Sequence, residues 1–245
     1  MASLFDQKAT AYAAGRKGYA PAAVEKLLEL LPQDAAAADI GSGTGIFAEQ
    51  LIRKGILTHC VEPDDGMRAK ADILLGGDPL YHAVAASAEE TTLPDHSVDL
   101  VTAASALHWF DLERFKKECI RILKLNGIVG ILCHVRNYDD LLTVKQHTLC
   151  EKYCIDFVSL AHGFEKISSR IPKLLREYEQ IDFPCPLEYT VDDFVNRGLS
   201  SSYAPKPDHP HYVPYADALR QLAEKYAVNG VVRVANKTVL FVGKI

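Results

Sequence analysis

Along the first half of the chain, short apolar runs alternate with stripes of helical spacing. Pro21 opens a segment in which Val24, Leu27, Leu28 and Leu31 share one helical face; proline suits a first helical position because its missing N–H costs nothing there. "AAAADIG" is a short apolar run ending at glycine and reads as a buried first strand, and "GIFAEQLIRKG" as a helix stopping near Gly55. "ILTHCVEP" reads as a second strand, "DDGMRAKADILL" as a short helix, "LYHAVAASAEE" as a third strand and "SVDLVTAAS" as a fourth. Asp111 is placed to cap a helix on which Leu112, Phe115, Cys119, Ile122 and Leu123 keep helical spacing and which Gly127 stops. "IVGILCHV", rich in β-branched residues, is a fifth strand.

After Val135 the pattern changes. Residues 138–180 are helical in character and too long for a bare loop. "YEQIDFPCPLEYT" and "VVRVANKTVLFVGKI" alternate as strands do, with helical "VDDFVNRGL" and "YADALRQLAEKYAVNG" between them. Strands alternating with helices of these lengths predict crossover units, hence an α/β fold with a mainly parallel sheet. We expect about seven strands, the last pair closing one edge antiparallel, with helices on both faces.

Nearly half of the 245 residues are hydrophobic (48%), enough for a sizeable core without metals or cross-links. With 32 acids against 27 bases and no run of like charge, the chain lacks the clustered Lys and Arg that nucleic-acid backbones require. Its six cysteines are scattered; Cys150 and Cys154, four apart, read as a reduced core pair, because no second pair has metal-ligand spacing. The N-terminus lacks a signal-peptide core, and no stretch is long and apolar enough to cross a bilayer. The expectation is a cytoplasmic protein, monomer or homodimer, with no metal, membrane or nucleic-acid partner.

The chemistry gathers at "ADIGSGTGIF", residues 38–47. Glycines stand at 41, 43 and 45, whereas a dinucleotide fingerprint wants a glycine at 46, where Ile stands. Glu62, about 20 positions on, suits a ribose diol in either setting. Asp39 discriminates. A pyrophosphate at the following helix N-terminus would meet its negative charge at close range. S-adenosylmethionine carries an ammonium and a sulfonium instead, and glycines let backbone approach its amino-acid part.

Residues 35–135 resemble class I S-adenosylmethionine-dependent methyltransferases, with the family's motifs in order: "ADIGSGTG", the acidic "VEPDDGM", "SAEETTLPDHSVDLVTAASALHWF" and the corner "RILKLNGIVGI". In the corner, Leu125 and Asn126 replace the family's usual Pro-Gly. The "HWF" triplet and an N-terminal Y…R…Y resemble the small-molecule branch that includes trans-aconitate methyltransferase. The resemblance implies a Rossmann-like single domain: residues 1–34 as a cofactor-covering segment and helix, 35–135 as the cofactor-binding core, 136–180 as a helical insertion or lid, and 181–245 as C-terminal strands and acceptor-side helices. It implies that Asp39 with the backbone of Gly41, Ser42 and Gly43 takes the methionyl part of the cofactor, and Glu62 the ribose diol. Pro63 and Met67 would pack near the adenine, Ala88 and Glu89 would meet its edge, and Ala103 on the fourth strand joins them. Tyr12, Arg16 and Tyr19 would fold over the cofactor, Arg16 pairing with its carboxylate.

His108 and Trp109 follow the fourth strand, where an acceptor would meet the methyl group. Trp109 is the only Trp and a candidate pocket wall; His108 is a candidate base, orienting group or structural histidine. No D-P-P-Y or N-P-P-Y stretch follows that strand; in the family this chain resembles, that motif marks enzymes acting on planar amide or exocyclic nitrogens, so the resemblance implies that such acceptors are disfavoured. Candidate acceptor contacts are Arg136 after the fifth strand and Tyr203, His209, His211 and Tyr212 in "LSSSYAPKPDHPHYVPY". The leading expectation is methylation of a small molecule at an oxygen of a carboxylate or hydroxyl. A catalytically silent cofactor-binding subunit and a nicotinamide oxidoreductase are the alternatives.

Overall fold

A computed structural model describes residues 18–245. They fall into two compact units. The larger comprises Gly18–His134, Gly163–Phe183 and Thr238–Ile245; the smaller, among the described residues, comprises Val135–His162 and Pro184–Lys237. Among the described residues no helix is long and apolar enough to cross a membrane.

The larger unit is built on a seven-stranded sheet. Its strands are β1 (Ala36–Ile40), β2 (Leu57–Val61), β3 (Tyr81–Val84), β4 (Val98–Ala104), β5 (Leu123–Arg136), β6 (Glu177–Pro184) and β9 (Asn236–Lys244), in the order β3-β2-β1-β4-β5-β9-β6. β3, β2, β1, β4 and β5 pair parallel, and an antiparallel edge strand completes the sheet, with helices on both sides. The buried faces of β1 and β4 (Ala37, Ala38, Ile40; Val98, Leu100, Val101, Ala103) make the near-continuous apolar run expected of strands covered twice. The covering helices include α1 (Pro21–Leu28), α2 (Ile46–Ile52), α3 (Asp65–Leu75) and α4 (Leu112–Ile122). Local chemistry starts two of them: the Asp64 carboxylate accepts the Met67 N–H, and that of Asp111 accepts the Arg114 N–H. α1 has Pro21 at its first position and buries Ala23, Val24 and Leu27.

Residues 138–180 contain α5 (Leu141–Tyr153), α6 (His162–Ser168) and α7 (Ile171–Leu174), as their composition suggests. The two C-terminal segments close one edge of the sheet as expected, through β9 and β6, but each of them is split. "YEQIDFPCPLEYT" is two strands, β6 and β7 (Leu187–Thr190), because Pro184 and Pro186 bracket the join and neither can donate to a ladder. "VVRVANKTVLFVGKI" is likewise two, β8 (Val231–Val234) and β9. β8 does not close the main sheet; it pairs antiparallel with β7 in a separate ribbon of the smaller unit. Both ribbon strands bury alternate residues, Leu187 and Tyr189 facing the same core as Val232 and Val234. With α5, α8 (Val191–Leu199) and α9 (Tyr212–Tyr226), the ribbon encloses Phe194, Leu219 and the fully buried Tyr215.

Candidate active site

In the larger unit the strand order reverses between β1 and β4, and the crevice outside the carboxyl ends of strands at such a reversal is where open α/β sheets take ligands. β1 delivers Asp39 there, 1% exposed. The Thr102 hydroxyl on β4 donates to Asp39 Oδ1 at 2.8 Å, while Oδ2, equally enclosed, has no hydrogen-bond partner among the described residues. Burial raises the Asp39 pKa from the usual 3.8 to about 7, with the Thr102 hydrogen bond pulling it down and the Glu62 charge pushing it up.

The three glycines that follow all have positive φ, but they do different work. A Cβ on Gly41 would lie 2.7 Å from the Ala106 Cβ and 3.1 Å from Phe110 Cζ, so this glycine lets the "HWF" corner close onto the turn. One on Gly45 would meet Leu75 Cδ1 at 2.8 Å, so Gly45 serves the packing of α2 on α3. Gly43 alone of the three faces open space, with nothing within 4 Å. The side a Cβ would occupy is open, while its N–H is engaged by Glu62.

Glu62, buried at the end of β2, holds this turn in place. Its Oε2 accepts the Gly43 N–H at 2.9 Å and its Oε1 the Asp64 N–H at 3.0 Å. A carboxylate offers about four lone-pair sites, so acceptor capacity is left for a diol. The Gly41 and Ser42 N–H groups both donate to the Val61 carbonyl, tying the turn to β2.

The remaining candidates in this unit take varied places. Pro63 is exposed; Met67 is half-buried and its N–H caps α3. Ala88 is buried, and Glu89 accepts the Asp111 N–H at 2.8 Å, joining the loop after β3 to the start of α4. That loop is pinned by Glu118, which accepts the Thr91 N–H and hydroxyl and pairs with Arg121. Ala103 is fully buried within β4. Tyr12 and Arg16 lie outside the described residues. Tyr19 is buried, its ring 4.3 Å from that of His134, with its hydroxyl donating to Ser105 Oγ at 2.9 Å just past β4. His108 and Trp109 form a single 3-10 turn (Leu107–Trp109), rings 4.8 Å apart; His108 is half-buried and Trp109 is 80% exposed.

Comparison with known proteins places the chain in a family. Residues 38–131 match the family described as a methyltransferase domain. An uncharacterized methyltransferase of Mycobacterium tuberculosis is 34% identical over 137 residues, 56% of this chain and 54% of the relative, so the chain spans about half the length of the curated relatives first matched. A Dictyostelium discoideum protein that carries a methyltransferase name is 30% identical over 203 residues, 73% of this chain and 76% of the relative. This chain belongs to the class I S-adenosylmethionine-dependent methyltransferases. A solved methyltransferase from Anaeromyxobacter dehalogenans shares the fold, with a TM-score of 0.70 at 22% identity, covering 94% of this chain and 97% of that one.

The turn suits the family's cofactor on its own chemistry. A buried acid with one unused oxygen fits a cationic group, and an unobstructed glycine fits close approach of the methionyl backbone.

The acceptor candidates fall in the smaller unit, in two groups. His209 and His211 belong to one turn: the His211 N–H donates to His209 Nδ1, and His211 Nδ1 lies 3.1 Å from the Tyr153 carbonyl. Tyr212 begins α9 directly after it. Among the described residues no group of three or more His, Cys, Asp or Glu is placed to hold a metal. Arg136 and Tyr203 form the second group, with Arg197, Tyr189 and Cys150, which sequence reasoning missed. Arg136 closes β5, and its Nη1 is enclosed with no hydrogen-bond partner among the described residues. Burial first, then the charge of Arg197, pushes its pKa from 12.5 down to about 9. Arg197 lies over the Tyr189 ring, 5.2 Å from its centroid. Nothing in the local pattern of α8 or β7 announces this meeting, because it depends on how ribbon and helices pack.

Proposed function

We propose that this protein transfers the methyl group of S-adenosylmethionine to a small-molecule acceptor, at an oxygen of a carboxylate or hydroxyl. The observation that carries the reading is Asp39: a buried carboxyl with an unused oxygen at the sheet's reversal, beside a glycine turn open at Gly43. When bound, the cofactor supplies a methyl group already activated by a sulfonium. The chain's residues then have to bind, align and exclude water. Asp39 offers its free oxygen to the cofactor's positive charge. Gly43 leaves the side a Cβ would occupy open for the amino-acid part. Glu62, held by the Gly43 and Asp64 N–H groups, has lone pairs left for the ribose hydroxyls. The exposed face of Trp109 is an aromatic wall for an acceptor, and His108 orients it. An acceptor carboxylate arrives deprotonated, so no base is required of His108. The mildly acidic chain and the absence of a D-P-P-Y motif support a small, non-nucleic-acid acceptor.

Calorimetry with S-adenosylhomocysteine and with NAD tests the cofactor. Stabilisation by NAD alone would point to an oxidoreductase. Methyl-labelled cofactor incubated with a metabolite extract, read by mass spectrometry, tests the transfer; cofactor binding with no labelled product and a co-purifying partner would point to a silent subunit.

A further inference from the structure

We propose that Arg136, whose electrostatic neighbours are Tyr203, Tyr189 and Cys150, anchors a carboxylate of the methyl acceptor within the smaller unit. The inference rests on the methyl-transfer reading and names the class of its acceptor. Arg136 Nη1 is enclosed and has no hydrogen-bond partner among the described residues. Besides burial, the strongest influences on it are a second cation, Arg197, two phenols and a thiol, with no carboxylate among them. A buried cation without a counter-charge costs several kcal/mol, and a hydrophobic side chain of similar volume would relieve that cost. A charge retained in such a place calls for a negative partner that comes from outside the chain.

The surroundings narrow the partner. Burial holds the Cys150 thiol at a pKa of about 12 and raises that of Tyr203, so both are neutral groups and neither supplies the missing charge. Phe157 packs on Tyr203, ring centroids 5.0 Å apart, which makes these surroundings aromatic. The cost of desolvation grows with the square of the charge, so a monoanionic carboxylate enters such surroundings far more cheaply than a phosphate dianion. A guanidinium fork also matches a planar carboxylate. A carboxylate neutralised in this way is a poor nucleophile, so the oxygen that receives the methyl group is a second group on the same molecule.

The test uses the full chain and a panel of small carboxylates (benzoate, 3-phenylpropanoate, succinate), each beside its amide, with phenyl phosphate as the phosphate arm. Thermal shift and calorimetry are read with and without S-adenosylhomocysteine. The expected result is a carboxylate that binds the wild type where its amide does not. Binding weakens at least tenfold in Arg136→Met and in Arg136→Gln and is partly kept in Arg136→Lys. Arg136→Met without ligand melts higher than the wild type, because the uncompensated charge is gone. Binding of no carboxylate, equal binding of the amides, preference for phenyl phosphate, or a response that survives in both Arg136→Met and Arg136→Gln would each overturn the inference. Should Arg136→Met not fold, Arg136→Gln decides alone. Failure to bind S-adenosylhomocysteine sinks the methyl-transfer reading separately, since the carboxylate series is also run without it.

Discussion

Asp39→Asn gives the sharpest test of the site. A displacement of one pH unit in a carboxyl pKa corresponds to about 1.36 kcal/mol. The rise of Asp39 from 3.8 to about 7 therefore sets about 4 kcal/mol against its ionised form in the folded protein. Because the folded pKa is raised, the native state holds the extra proton. Without cofactor, stability from this group is full below pH 3.8, falls as pH rises to about 7, and is flat above. Asn removes the penalty but puts an amide where Oδ2 has no partner, which costs about 1–3 kcal/mol. At pH 8 the unliganded variant should be more stable than the wild type by about 1–3 kcal/mol in urea unfolding, the advantage vanishing between about pH 4.5 and 6 and reversing near pH 4.

Cofactor binding should show the opposite sign. A cation beside Asp39 favours the carboxylate, so binding below pH 7 expels its proton. Calorimetric affinity of the wild type for S-adenosylhomocysteine should climb from pH 5.5 toward 7, by at most about tenfold per unit, and level off above. Asp39→Asn should bind more than tenfold more weakly at pH 8 and lack that climb, which cancels contributions from other titrating groups. Identical pH profiles for the two proteins would refute the reasoning, as would tighter wild-type binding in acid.

Other substitutions separate packing from ligand approach. Gly43→Ala meets no protein atom, so it should cost only about 1–2 kcal/mol of stability for its positive φ while abolishing most cofactor affinity; Gly41→Ala, which collides with Ala106, should lower the melting temperature more. Unaltered cofactor affinity in Gly43→Ala would argue against the cradle. Glu118→Gln should lose about 1–3 kcal/mol at pH 7 by chemical denaturation, through the Thr91 and Arg121 bonds. Burial raises the Glu118 pKa, but those hydrogen bonds outweigh it and bring it to about 2, so the wild type's advantage should fade as pH drops from 4.5 toward 2. If the methylated oxygen belongs to a carboxylate, His108→Gln should keep measurable turnover, because no proton need be taken; complete loss with cofactor binding intact would make this histidine the base.

Much of the larger unit was legible in sequence because its signals are local. Asp111 caps the helix that directly follows it, Pro21 starts another, and the apolar runs of β1 and β4 need only their own residues to say they are buried. The glycine turn and Glu62 were equally visible, though as ligand groups; that Glu62 holds Gly43 in place needed the β2–β1 register. The break of the C-terminal segments at Pro184 and Ala235, and the pairing of β7 with β8 rather than at the sheet edge, turned on which buried face each strand could find.

By itself, then, the chain's order of residues determined the crossover architecture and the acid-then-glycine turn, which follow from spacing within a few turns or strands, and its ordered motifs carried the resemblance to the family. Tertiary structure alone decided the state of the charges. Asp39 is an ordinary acid in sequence and Arg136 an ordinary base; only enclosure by distant segments strips their water, leaves one oxygen and one nitrogen unused, and moves their proton affinities. Desolvation is set by everything that packs around a group, and no local pattern records it.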